Sequence, residues 1–190
     1  MTDTRNFSDE VIAVVTTYEP DLETLQRQFV LLAGQVKTLL IIDNGSSNAA
    51  GVAALACGHA FAQFTGAPEN RGLGWAHNEG LRRALTQGAD AVLLLDQDSL
   101  PRDGMVAALV RALREQRQAG VRVAAVGARY LGSDRGHSSY FVQFGWLRFR
   151  RCFCQPGQSQ TEIRADMLIS SGALFAREAL ETLGLMDEGL

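Results

Sequence analysis

Apolar and polar positions follow two rhythms along this chain. Val11-Ile12-Ala13-Val14-Val15 is a short, β-branched apolar run ending near Glu19-Pro20, which predicts a buried strand. From Asp21 the period changes. Leu22, Leu25, Phe29 and Leu32 recur at helical spacing, Asp21 is placed to cap that helix, and Gly34 to stop it. Leu39-Leu40-Ile41-Ile42 predicts a second strand, which runs into the turn-forming cluster Asp43-Asn44-Gly45-Ser46-Ser47. An Ala-rich helix, a strand from Phe61 to Thr65 and a helix from Leu73 to Leu85 follow. Ala91-Val92-Leu93-Leu94-Leu95 is another apolar run, and it ends in Asp96-Gln97-Asp98.

After a helix from about Asp103 to Gln118 and a strand near Val123 to Val126, the pattern changes. Tyr140 to Cys154 is long, aromatic and studded with Arg, and a Pro-Gly pair follows it. This stretch predicts an antiparallel hairpin, then a strand near Met167 and a short helix from Arg177 to Leu183. Strands alternating with helices imply an α/β fold with a mostly parallel sheet covered on both faces. The expected organisation is one domain over 1–190, with a parallel half over about 11–100 and an antiparallel half over about 101–190.

Composition narrows the function classes. With 46% hydrophobic and 21% charged residues, the 190-residue chain is an ordinary globular sequence, not a disordered tract, collagen or coiled-coil rod. A formal net charge of −3 argues against a nucleic-acid partner, which needs a basic surface. Lys37 is the only lysine, a bias attributable to genome composition. No apolar run approaches the roughly 20 residues of a transmembrane helix, and the polar first ten residues lack a signal-peptide pattern. The three cysteines form no even-numbered disulfide set, and Cys152 and Cys154 lack further zinc-type ligands nearby, so a reducing cytoplasm is expected.

Ligands of open α/β sheets bind at the carboxyl ends of the strands. Three predicted strand ends carry polar clusters: Thr16-Thr17-Tyr18-Glu19, Asp43-Asn44 and Asp96-Gln97-Asp98. The first two also read as a strand end and a good turn. Asp96-x-Asp98 is more telling, since two carboxylates so close repel unless a cation lies between them. Hard oxygen ligands favour Mg²⁺ or Mn²⁺ shared with substrate phosphates; the competing reading has Asp98 cap the next helix. Glu69 to Asn78 is a glycine-containing loop opening a helix, with N–H groups and Arg71 suited to an anion. It lacks the third glycine of a dinucleotide fingerprint. His77 reads as a wall or surface residue, and His59 and His137 show no evident partners.

These motifs occur in a set order: Val14 to Pro20, Ile41 to Ser47, Glu69 to Gly80 and Leu93 to Ser99. With Ile169 to Phe175 and Gly184 to Leu190, they resemble a family 2 glycosyltransferase of the GT-A (nucleotide-diphospho-sugar transferase) fold, most of all its bacterial rhamnosyltransferase branch. The resemblance covers residues 11–190.

The resemblance implies a nucleotide-sugar-binding half over about 11–100 and the start of an acceptor half beyond it. Thr16, Tyr18, Glu19 and Asp43 would hold the base, with Arg71 and Asn78 beside the ribose and diphosphate. Asp96 would reach ribose or metal, and Asp98 would ligate Mg²⁺ or Mn²⁺. Ser170, Ser171 and Gly172 would approach sugar and acceptor, although Gly172 reads equally as a tight turn. The reaction implied is transfer with inversion of a sugar, L-rhamnose from dTDP-rhamnose in that branch. The acceptor implied is a lipid-linked surface polysaccharide of the O-antigen type, and the place of work is the inner face of the cytoplasmic membrane. Phe149, Arg150, Arg151 and Phe153 could meet that membrane, but a hairpin with one solvated basic face accounts for them and is the preferred reading.

No catalytic residue is assigned. The family's general base follows the segment that here ends at Met186-Asp187-Glu188-Gly189-Leu190, so a truncated chain that binds donor but transfers poorly is expected. Two alternatives remain: a sugar nucleotidyltransferase, which would need a basic glycine-rich loop where Thr16 to Pro20 stand, and a non-catalytic nucleotide-binding module.

Overall fold

The computed structural model describes residues 11–130, 140–146, 148–153 and 163–189. The first half follows the predicted order closely: β1 (Val11–Thr17), α1 (Leu22–Leu32), β2 (Thr38–Asp43), α2 (Ala49–Cys57), β3 (Ala62–Gly66), α3 (Leu73–Thr86) and β4 (Ala91–Asp96). Then come α4 (Met105–Gln118), β5 (Ala125–Gly127), the hairpin β6 (Tyr140–Phe144) and β7 (Phe149–Phe153), β8 (Ala173–Ala176) and α5 (Arg177–Leu183). The main sheet has six strands in the order β3-β2-β1-β4-β8-β5, parallel from β3 to β4, with β8 antiparallel to both of its neighbours.

The strand period of two divides the core between the sheet's faces. Val11, Ala13, Val15, Leu39, Ile41, Leu93 and Leu95 pack with α1, α2 and α4. Ile12, Val14, Leu40, Ile42, Val92 and Leu94 pack with α3 and α5. Burial on both sides explains why these strands read as continuous apolar runs. Each fully buried Leu, Ile or Phe here stabilises the fold by about 1.5–3 kcal/mol. Asp21 caps α1 as predicted, accepting the Thr24 N–H at 2.8 Å. His59, unpartnered in the sequence reading, meets Gln26 at 3.1 Å and stands edge-on to Phe29 and Phe61.

One expected element is misplaced. Met167 forms only an isolated bridge to Val142, and the strand that enters the main sheet is β8, several residues later. β8 has four residues and runs directly into α5, so its apolar run merges with the helix in the sequence pattern. Cys154, His137 and the Pro156-Gly157 pair lie outside the described residues.

The crossovers place β2 and β3 on one side of β1 and β4 on the other. The sheet's switch point therefore lies between the carboxyl ends of β1 and β4, where Thr16 is in register with Asp96.

Candidate functional site

Three loops meet at that end of the sheet, and side chains tie them together. Asp43 is fully buried. One of its oxygens accepts the Ser46 N–H at 2.9 Å; the other accepts the Thr17 hydroxyl at 2.9 Å and the Ser46 hydroxyl at 2.5 Å. Both oxygens thus brace the turn after β2, at the strand end where the resemblance expects the nucleotide base. Glu19 has φ of +49°, the one non-glycine positive φ among the described residues. Its carboxylate accepts the Ser47 N–H and hydroxyl at 2.6 and 2.8 Å, and its own N–H donates to the Ser46 hydroxyl oxygen at 2.9 Å. These bonds offset the cost of about 1–3 kcal/mol for a side chain held in that conformation.

Gln97 joins the loop after β1 to the loop after β4. Its Oε1 accepts the Tyr18 N–H at 2.8 Å and its Nε2 donates to the Tyr18 carbonyl at 3.2 Å. Tyr18 itself is exposed at the rim, whereas Thr16 and Thr17 are buried at the strand end.

The turn from Asp96 to Ser99 is held from two sides. Gln28, buried on α1, donates from Nε2 to the carbonyls of Asp96 at 2.7 Å and Ser99 at 2.6 Å. Ser171 accepts the Asp96 N–H at 3.0 Å and shares a 2.6 Å bond with the Ser99 hydroxyl. Asp96 is half-buried, and burial, with the charge of Asp98 second, pushes its carboxyl above the ordinary range while nearby His77 opposes the shift. Asp98 is exposed and caps nothing, because α4 takes Gly104 as its N-cap. The pair suits a divalent cation: two hard oxygen donors, one destabilised by the other's charge, in a turn fixed by neighbouring side chains. His77 is a buried wall residue, 4% exposed, whose Nε2 has no hydrogen-bond partner. Burial lowers its pKa, with Asp96 pulling the other way.

The loop before α3 is clamped by Asn44, which sequence reasoning left as part of a turn. Its Nδ2 donates to Asn70 Oδ1 at 3.0 Å and to the Gly72 carbonyl at 3.2 Å, while its Oδ1 accepts the Arg71 N–H at 2.9 Å. Gly45, at φ +83°, lies so close to this loop that a Cβ would stand 2.5 Å from the Glu69 carbonyl carbon. The Arg71 guanidinium stacks 4.4 Å from the Trp75 ring centre, beside an α3 N-terminus that no side chain caps.

Asn78, expected beside the ribose and diphosphate, stands on α3. It is buried, and its Oδ1 accepts the Met186 N–H at 2.8 Å while its Nδ2 donates to the Met186 carbonyl at 2.8 Å and to Glu188 at 2.7 Å. Its amide thus fastens the segment after α5 to α3. Glu188 also accepts from Arg82 at 2.8 Å; the bonds from Asn78 first and Arg82 second hold its carboxyl below the ordinary range. Of the expected acceptor residues, Ser171 braces the Asp96 turn and Ser170 is half-buried. Gly172 is buried at φ +79° and hydrogen-bonded to Leu94 and Ala128, which is the tight-turn reading. Gln28, Gln97, Asn44 and Asn70 were missed. The available signals were a polar residue on the buried stripe of α1 and the amide between the two aspartates.

A parallel sheet with its polar loops and a carboxylate pair at the switch point defines a nucleotide-diphospho-sugar type of α/β fold. Residues 12–184 match the model of glycosyl transferase family 2, and the chain belongs to that family. It is 25% identical to the dTDP-rhamnosyl transferase RfbF of Shigella flexneri, over 96% of this chain and 59% of that protein. It is 28% identical to the galactofuranosyltransferase GlfT1 of Mycobacterium tuberculosis, over 95% of this chain and 60% of the other. The chain thus spans about 60% of the length of these relatives. Among solved structures, residues 1–349 of S. aureus TarS superpose with a TM-score of 0.61 at 13% identity, over 95% of this chain and 51% of that one, in agreement with the expected fold.

Proposed function

We propose that this chain supplies the donor-binding part of an inverting glycosyltransferase. In this reading it holds a nucleoside diphosphate sugar, dTDP-L-rhamnose, for transfer to a lipid-linked surface saccharide at the inner face of the cytoplasmic membrane. The observation that carries the reading is the Asp96-Gln97-Asp98 turn at the β1–β4 switch point, fixed by Gln28 and Ser171 and joined to the β1 loop through Gln97. The family match and the rhamnosyl transferase relative support it.

Tyr18, exposed at the rim, offers a ring on which a pyrimidine can stack, with Thr16 and the Glu19 loop beneath. Arg71, flattened on Trp75 at the start of α3, would meet the diphosphate. Asp98, with Asp96, would hold Mg²⁺ or Mn²⁺, which supplies Lewis-acid stabilisation of the charge on the departing nucleoside diphosphate. Glu188 is a poor general base, because two donors hold its proton affinity down, and no general base is assigned within this chain. The purified chain is therefore expected to bind donor and to transfer sugar poorly.

Calorimetric titration of dTDP and dTDP-rhamnose, with Mg²⁺ or Mn²⁺ and then with EDTA, tests the reading. Metal-dependent binding that Asp98→Ala abolishes is the expected result. Equal binding of UDP would remove the argument for a thymidine donor. Failure of the folded protein to bind any nucleoside diphosphate would overturn the donor-site assignment in this chain.

A further inference from the structure

The β6–β7 hairpin stands apart from the main sheet as a two-stranded unit of its own. Its register pairs Tyr140 with Phe153, Val142 with Arg151, and Phe144 with Phe149. Side chains alternate across a strand, so all six share one face. On that face only Val142 is buried; Phe144, Phe149 and Phe153 are 63%, 59% and 50% exposed. Arg151 lies among the rings, its guanidinium 4.7 Å from the centre of Tyr140 and 5.7 Å from that of Phe149. At the tip Trp146 is 96% exposed. Arg150 is exposed on the other face, as a solvated basic face requires, and the face that carries the rings is open to water as well.

We propose that this face and its tip dock on an anionic lipid surface. Charge and shape together select that occupant. Residues 140–153 contain Arg148, Arg150 and Arg151 and no carboxylate, in a chain whose net charge is −3; Arg151 shares the ring face, while Arg150, paired with Gln143, lies on the other. The nearby carboxylate of Asp166 is occupied by the Phe144 N–H at 2.8 Å, on the edge of β6 that faces away from β7. The cavity beside the hairpin, about 310 Å³ and lined by Gln143, Phe144, Arg164 and Asp166, takes in Phe144 alone of the rings. Projecting Trp, Tyr and Phe with Arg among them match the headgroup layer, where rings enter the acyl boundary and guanidinium groups meet phosphate.

The hairpin's position gives such docking a consequence. Val142 bridges to Met167, and the chain continues from there to Ser171, which holds the Asp96 turn. Docking would bring the carboxyl end of the sheet toward the lipid. The surface is argued without the donor assignment, and its test uses no nucleotide.

The experiment is co-sedimentation of the 190-residue chain with vesicles of phosphatidylglycerol in phosphatidylcholine, against pure phosphatidylcholine, at low and high salt. Binding to the anionic vesicles alone, weakened by salt, is expected. Neutralising Arg151, the arginine among the rings, to Ala should weaken partitioning about five-fold. Trp146→Ser should weaken it about ten-fold. Because Trp146 is almost wholly exposed, Trp146→Ser should leave the urea midpoint unchanged. A blue shift of tryptophan emission on anionic vesicles, absent in Trp146→Ser, places the tip in the interface. No binding at low salt, equal binding to pure phosphatidylcholine, or indifference to both substitutions would overturn the proposal. So would a dimer in solution that dissociates in Trp146→Ser, since the face would then serve a second copy of the chain.

Discussion

Asp43→Asn separates the two roles that sequence and structure give this residue. The substitution keeps the shape of the side chain and removes its charge. In the fold, one oxygen accepts the Ser46 N–H and the other accepts two hydroxyls, from Thr17 and Ser46. Hydrogen bonds to a charged acceptor are worth about 1.5–3 kcal/mol each, against roughly 1 kcal/mol for a neutral pair. The Asn oxygen can keep the Ser46 N–H as a neutral bond, while its NH₂ replaces the acceptor of two hydroxyl donors that must both turn away. A net loss of about 2–4 kcal/mol follows, from a total of about 5–15 for a folded domain. At about 2–4 °C per kcal/mol for a domain of this size, the melting temperature should fall by about 4–16 °C. Urea unfolding gives the free energy. A double-mutant cycle with Thr17→Val should show a coupling near 1 kcal/mol, because the two side chains share a bond. The reasoning is refuted if Asp43→Asn unfolds within about 0.5 kcal/mol of the parent chain while nucleotide discrimination changes, since a surface-exposed base reader would behave that way.

Three further outcomes follow from the loop network. Gly45→Ala forces a Cβ against the Glu69 main chain at a positive φ, so it should lower stability by about 1–3 kcal/mol in urea unfolding and weaken dTDP binding as the Asn70–Gly72 loop shifts. Gln97→Ala removes both bonds to the main chain of Tyr18; water can replace them at this exposed site, so stability should change by less than about 1 kcal/mol while calorimetry shows weaker nucleotide binding. Asn78→Ala should release the segment at Met186, seen as faster amide hydrogen exchange there. The native segment should loosen in the same way on acidification. The bonds from Asn78 and Arg82 hold the Glu188 carboxyl below the ordinary carboxylate range, so its contribution is present above that range and is lost as the pH falls through the folded value.

What the sequence pattern could reveal was whatever repeats locally. β1, β2 and β4 are apolar on both faces and end in polar turns, and Asp21 precedes the helix it caps, so the parallel half was legible residue by residue. β8 was not, because four residues flowing straight into a helix have no period of their own. At the site, motif positions were legible but side-chain directions were not. Asp43 and Asn78 stand where the family resemblance places ligand contacts, yet one points into its own turn and the other toward a segment 108 residues away. Gln28 and Gln97 act across separations of 68 and 79 residues, which no local spacing encodes. The hairpin shows the same limit: its rings and arginines were visible, but which face met water depended on the pairing register.

The loop after β1 bears on the nucleotidyltransferase alternative more sharply than the fold does. Enzymes that grip a triphosphate there need main-chain N–H groups free to point at the anion. Here the Tyr18 N–H donates to Gln97, the Glu19 N–H donates to Ser46, and Pro20 has none. The same bonds that stitch this loop to its neighbours therefore close it to phosphate. The start of α3 differs: Gly72 is the N-cap, no side chain caps the helix, and Arg71 is adjacent. A diphosphate bound there would run between that helix and the Asp96–Asp98 turn, with the base toward Tyr18. The contrast with a triphosphate-gripping loop follows from which amides are already occupied rather than from the sheet that many unrelated activities share.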